Sequence, residues 1–120
     1  MSNKTRGELQ AEFSKAIVQF EKDYLGRGPL EVRTFFVEDM VVVRIRGVLT
    51  RAEQKLAESE DGKTLVKETR RQLFESLRPE LEEMVQGILD CEMVSLHSDI
   101  STTTGERIVV LTVDKPLGKI

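Results

Sequence analysis

The sequence has one cysteine, one histidine, no tryptophan and three prolines among 120 residues. A lone Cys91 cannot close an internal disulfide, and with only His97 beside it in the inventory it cannot complete a Cys/His zinc set. Nothing around Cys91 marks a lowered thiol pKa, so it reads as a small structural residue. No apolar run nears the ~20 residues of a membrane helix. The first residues lack the apolar core of a signal peptide, which makes the cytoplasm the expected location. Aromatics are few, and 18 basic against 21 acidic residues leave a net charge of −3. No nucleic-acid partner is expected from that balance. Gly26-Arg27-Gly28-Pro29 looks superficially like a phosphate loop, but a helix precedes it, a strand follows it, and the lysine is missing. It reads as a helix stop and rigid turn, with Arg27 as an anion contact. No metal site and no cofactor are expected.

What is present describes one α+β domain over residues 1–120, with a flexible tail at 1–4 and a flexible end at 115–120. Thr5-Arg6-Gly7-Glu8 has the form of a capping box, in which Thr and Glu side chains each accept from a free backbone N–H. Leu9, Phe13, Ala16, Ile17, Phe20 and Tyr24 then form a one-sided helical stripe, and Gly26 ends it. Leu30 to Val37 and Met40 to Val48 read as strands around a Glu38-Asp39 turn. Thr50-Arg51-Ala52-Glu53 is a second capping box, opening a short helix to about Ala57 that Ser59 to Gly62 interrupts. A long helical pattern runs from Leu65 to Ile88, and Pro79 predicts a kink or break near Arg78. Met93 to Ile100 and Arg107 to Val113 form a last hairpin over Ser101-Thr102-Thr103-Thr104-Gly105, with Gly105 at positive φ. The order α-β-β-α-α-β-β indicates a four-stranded antiparallel sheet with helices packed on one face.

Strand alternation assigns faces. With the turn at Glu38-Asp39, Val37 opposes Met40, Phe35 opposes Val42 and Arg33 opposes Arg44. Val32, Thr34, Phe36, Val41, Val43 and Ile45 share the helix side. Arg33, Phe35, Val37, Met40, Val42, Arg44 and Arg46 share the other, where two facing arginines call for an anion between them. In the last hairpin, Val94, Leu96 and Ile100 alternate with Met93, Ser95, His97 and Asp99. The return strand carries apolar residues on both faces, so its orientation stays open. A face this rich in Val, Phe and Met needs a cover, and a two-fold homodimer is the expected one.

Seven residues are candidates for anion or partner binding: Arg27, Arg33, Arg44, Arg46, His97, Asp99 and Arg107. His97, Asp99 and Arg107 have the chemistry of an acid/base or anion site. They lack the nucleophile or metal set that would make it catalytic, and a polar strand edge with an Asp–Arg pair is the better reading. Two functions follow. The first is a non-enzymatic interaction or regulatory module; the alternative is a small-anion or nucleotide binder, or an enzyme, using the Arg/His/Asp cluster. The alternative requires those side chains to converge.

Four stretches together carry a family resemblance. They are Gly26-Arg27-Gly28-Pro29, the strand Met40-Val41-Val42-Val43-Arg44-Ile45-Arg46-Gly47-Val48-Leu49-Thr50, the helix from Arg70-Arg71 to Arg78-Pro79, and Asp99-Ile100-Ser101 followed by Gly105-Glu106-Arg107. In this collinear order, over residues 5 to 115, the chain resembles the MpsC-like proteins, long classed as a domain of unknown function. That family's name refers to a Na+-translocating, membrane-potential-generating system. The resemblance implies an accessory role beside a membrane transport complex, and it brings no assigned catalytic residues.

Overall fold

The computed structural model describes residues 4–117. The elements are α1 (Arg6–Tyr24), β1 (Glu31–Val37), β2 (Met40–Arg46), α2 (Arg51–Leu56), α3 (Glu60–Ser76), α4 (Arg78–Leu89), β3 (Met93–Ile100) and β4 (Arg107–Val113). Both capping boxes form as the sequence predicts. The Thr5 side chain accepts from Glu8 N–H while Glu8 accepts from Thr5 N–H, and Thr50 and Glu53 repeat the arrangement at α2. The long helical pattern is two helices. Leu77 ends α3 and begins α4, with Pro79 in the first turn of α4, where its missing N–H costs no hydrogen bond. Ser59 to Gly62 is a helix start rather than a loop: the Ser59 hydroxyl accepts from Gly62 N–H. A side chain at Gly62 would have no room, because its Cβ would lie 1.6 Å from the Leu56 carbonyl oxygen.

The four strands pair antiparallel in the order β1-β2-β4-β3. The first hairpin has the predicted register, Val37 opposite Met40 and Arg33 opposite Arg44. Its turn places Glu38 at φ 57°, while Gly26 and Gly105 take the positive φ expected of them. The core lies between the sheet and the helices. Phe13 and Ile17 of α1, Phe74 of α3, and Leu81 and Val85 of α4 pack with Val41, Val43, Ile45, Val109 and Leu111. Thr34, buried on this side, is satisfied by a 2.8 Å hydrogen bond to the Ser14 hydroxyl.

Two further expectations change. A register shift between Met93 and Ser95 makes Val94 an extra residue in β3. Met93 therefore turns to the helix side opposite Val113, and Val94 is exposed, the reverse of simple alternation. Past the bulge, Leu96 and Ile100 face the helices, and Ser95, His97 and Asp99 take the open face. Residues 115–117 are not a loose end: Leu117 is fully buried and its N–H donates to the Glu38 carbonyl at 2.6 Å. The rest of that predicted end, and residues 1–3 of the tail, lie outside the described residues.

Candidate functional site

The open face of the sheet is built from three rows that cross all four strands. The registers give Val37–Met40–Thr112–Ser95, then Phe35–Val42–Val110–His97, then Arg33–Arg44–Ile108–Asp99. Six apolar side chains thus lie together, and Phe35 is 45% exposed although a strand interior would normally hide it. Both sheet edges are obstructed. On β1, the Phe36 N–H donates to the Gln10 side chain of α1 at 2.9 Å. On β3, the bulge bends the strand, and Arg78 donates to the Val94 carbonyl at 3.3 Å. A partner is left the face, not the edge.

The arginines of that face are already matched. Arg44 pairs with Glu106, Arg33 donates to Glu31 at 3.1 Å, and Arg46 lies 3.6 Å from Glu31 and 3.8 Å from Glu106. Glu31 and Glu106 supply the negative charge that facing Arg33 and Arg44 require, so no external anion is needed between them. Arg27 stands apart, exposed, with a long 3.4 Å contact to the Leu49 carbonyl. His97 is exposed, with its Nε2 3.2 Å from the Ser95 hydroxyl. The Asp99 carboxylate lies 3.4 Å from Lys67 of α3, at the β3 edge. Arg107 is on the helix side, opposite Ile45 and Ile100. The grouping of His97, Asp99 and Arg107 is therefore corrected: β4 alternation sends Arg107 through the sheet from His97. Two hydroxyls of the last turn are spent on the turn itself, Ser101 accepting from Thr104 N–H and Thr104 from Glu106 N–H.

A second constellation joins Arg107, a candidate from the sequence, to Glu21, Arg70 and Glu53, which were not candidates. Beneath α3, the charged side chains of Glu21, Arg70 and Arg107 are sealed in the core, with Glu53 at their border. Arg70 is 4% exposed and fully engaged on one side. Its Nε donates to Glu53 Oε2 at 2.6 Å, and its Nη2 donates to Glu53 Oε1 at 2.5 Å and to the Val48 carbonyl at 2.9 Å. Burial pushes the Glu53 carboxyl up, but the hydrogen bonds from Arg70 and the Thr50 backbone outweigh it and hold the carboxyl below its usual range. Glu21 has no such donors, and burial raises it. Arg107 is 2% exposed, with its guanidinium carbon 4.5 Å from the Phe74 ring centroid. Burial lowers its pKa to about 10, against the attraction of Glu21. Nε and Nη2 of Arg107, Nη1 of Arg70 and one oxygen of Glu21 have no hydrogen-bond partner. Arg70 and Arg107 both line a cleft of about 250 Å³ between α3 and the end of the last hairpin. Burial likewise raises the Cys91 thiol, which suits a structural role.

Among the described residues, no group of three or more His, Cys, Asp or Glu side chains is placed to hold a metal ion, and no helix is long and apolar enough to cross a membrane. Residues 5–115 match the family described as "Na+-translocating membrane potential-generating system (MpsC)". Of two relatives from Bacillus subtilis strain 168, one named uncharacterized protein YbcI is 40% identical over 116 residues, covering 97% of this chain and 94% of its own. The other, named uncharacterized protein YrhF, is 29% identical over 107 residues, covering 88% of each. No solved structure matches the chain. The chain belongs to the MpsC family, as the resemblance of its motifs implied.

Proposed function

We propose, with that membership as the premise, that this protein is a non-enzymatic interaction module that works through the open face of its sheet. The carrying observation is the three-row pattern: six apolar side chains lie together on a face that, among the described residues, no helix covers, flanked by arginines that Glu31 and Glu106 already match. A contiguous apolar face of this kind is a docking surface. The first occupant we infer is a second copy of the chain, since a two-fold axis lets one patch cover itself. The family's description then suggests where the dimer serves: as a cytoplasmic accessory, peripheral to a Na+-translocating membrane assembly. The alternative of an anion or nucleotide site on this face has less support, because Arg27, His97 and Arg107 do not converge there with Arg33, Arg44 and Arg46.

The test is light scattering on the purified chain, wild type against Val42→Glu. Val42 is in the middle row, and a carboxylate there would be desolvated by a covering copy yet tolerated in a monomer beside Arg44. The expected result is a dimer at micromolar concentration that Val42→Glu converts to a folded monomer. A wild-type monomer at that concentration, or a dimer that Val42→Glu leaves intact, would sink the open-face reading. The membrane link is tested separately, by whether loss of the gene lowers a Na+-dependent membrane potential in cells.

A further inference from the structure

The cleft between α3 and the end of β3 has a wall that folding alone does not explain. Buried polar groups in native proteins are nearly always hydrogen-bonded, and an exception calls for a ligand, an ion or water. Here two nitrogens of Arg107 and one of Arg70 are unpartnered, on side chains 2% and 4% exposed. Both residues line the same cleft, together with Lys67, Arg71, Thr64 and Ser98. The lining carries four cations against two anions, Glu68 and Asp99. The acids are engaged at the rim: Glu68 pairs with Arg71 and Asp99 with Lys67. Among the described residues, none hydrogen-bonds Nη1 of Arg70 or Nε and Nη2 of Arg107.

We infer that this cleft is a binding site for a small oxyanion of the phosphate type, held at its base by Arg70 and Arg107 and at its rim by Lys67 and Arg71. Guanidinium forks match paired oxygens and give charge-assisted hydrogen bonds about twice as strong as neutral ones. Thr64 and Ser98 add hydroxyl donors at the margin. Size narrows the class. At about 250 Å³ the cleft lies below the roughly 300–1,000 Å³ of pockets that enclose drug-sized ligands. A free ion or a single phosphate group fits; a whole nucleotide does not. The site is independent of the open-face reading, since Arg107 lies on the opposite side of the sheet.

The test is calorimetric titration of the full chain with inorganic phosphate and with sulfate, against chloride at matched ionic strength. Saturable binding of about one phosphate per chain is expected. Arg107→Met, close to Arg in length, should weaken it at least about tenfold, the equivalent of one lost charge-assisted bond. Because a core substitution can disturb folding, the exposed pair Lys67→Gln/Arg71→Gln is the second arm, with a loss of about threefold or more. Glycerol phosphate separates a site for the free ion from one for a phosphate group carried on a larger molecule, and tight binding of either supports the inference. No saturable heat beyond chloride would overturn it and leave water as the partner of Arg107. Binding that survives both sets of substitutions unchanged would also overturn it, by placing the anion elsewhere, as on Arg33, Arg44 and Arg46.

Discussion

The two sides of the sheet treat arginine in opposite ways. On the open face, Arg33, Arg44 and Arg46 are about half exposed and share Glu31 and Glu106. On the covered side, Arg70 and Arg107 are sealed, and only Arg70 has an acid in hydrogen-bonding contact. Exposed pairs contribute about 0–1 kcal/mol each, because water screens them. Removing one partner of a buried pair costs about 3–5 kcal/mol, because the other charge is left without solvent. The open face can thus change its charges with little effect on the fold, as an interaction surface must. The Arg70–Glu53 pair on the covered side cannot, whereas Arg107, with Nε and Nη2 unpartnered, is held there by less.

The strongest test of that contrast is Arg70→Ala. It strands Glu53 and removes a donor from the Val48 carbonyl. A loss of about 3–5 kcal/mol in denaturant unfolding is expected. A loss no larger than that of Arg44→Gln on the open face, about 0.5 kcal/mol or less, would erase the distinction between the two sides.

Acid exposes the same pair more gently. Glu53 is held below the usual carboxylate range in the folded chain, so folding favours its ionised form. Its contribution is present above the ordinary value near 4.5 and is lost as pH falls through the lower, folded value. Wild type should therefore lose stability in that window, and Glu53→Gln should lose less there while starting about 1–3 kcal/mol lower at neutral pH. Glu21 runs the other way. Burial raises it, so its effect on stability is most favourable below the unfolded value and declines as pH rises through the folded one. Urea midpoints measured across the acid range for wild type and Glu53→Gln check the contribution of Glu53. If Glu53→Gln retained the full acid slope of wild type, Glu53 would not be its source.

What could be read ahead of the structure divides along the same line. Short-range rules carried the capping boxes at Thr5 and Thr50, the break at Pro79 and the first-hairpin register, because each depends on residues within a few positions. The buried charges also left a trace. Glu21 continues the Phe13-Ile17 spacing, Arg70 stands between Val66 and Phe74 at the same interval, and Arg107 opens the Val109-Leu111-Val113 alternation. A charge in an apolar register is a signal for a buried network, and the reading of the sequence did not use it. Two things left no such trace. The bulge at Val94 adds one residue without any local marker and reverses the face of Met93. The order β1-β2-β4-β3 sets Arg107 beside Ile45, a pairing across some 60 residues that no local pattern encodes.

Arg107→Met sharpens the contrast from within the core. Arg107→Met takes away the cation that attracts buried Glu21, but burial already raises the Glu21 carboxyl, so it can take up a proton instead of staying as a stranded charge. Met keeps the contact with Phe74, and it removes the cation that leaves Nε and Nη2 unpartnered. Thermal unfolding should change by no more than about 1.5 kcal/mol, in either direction. A large loss would mean that Arg107 stabilises the fold through Glu21 and the ring, and would make Arg107 a structural residue like Arg70.

The smallest effect on stability is expected where the proposed effect on assembly is greatest. Val42 lies in a half-exposed strand position between Phe35 and Val110, with Arg44 next along the same face. In a lone chain, Val42→Glu buries nothing and gains a neighbouring cation, so its unfolding free energy should move by no more than about 0.5 kcal/mol. In a face-to-face dimer the same carboxylate would be taken out of water with an apolar row opposite it. Dissociation should then rise by about a hundredfold or more, from a desolvation cost of several kcal/mol. Urea unfolding and light scattering on the same preparation read the two quantities separately. Unequal responses would mark the open face as a surface used for assembly. Equal responses would mean that Val42 belongs to the fold, and that the contrast between the two sides of the sheet is one of exposure alone.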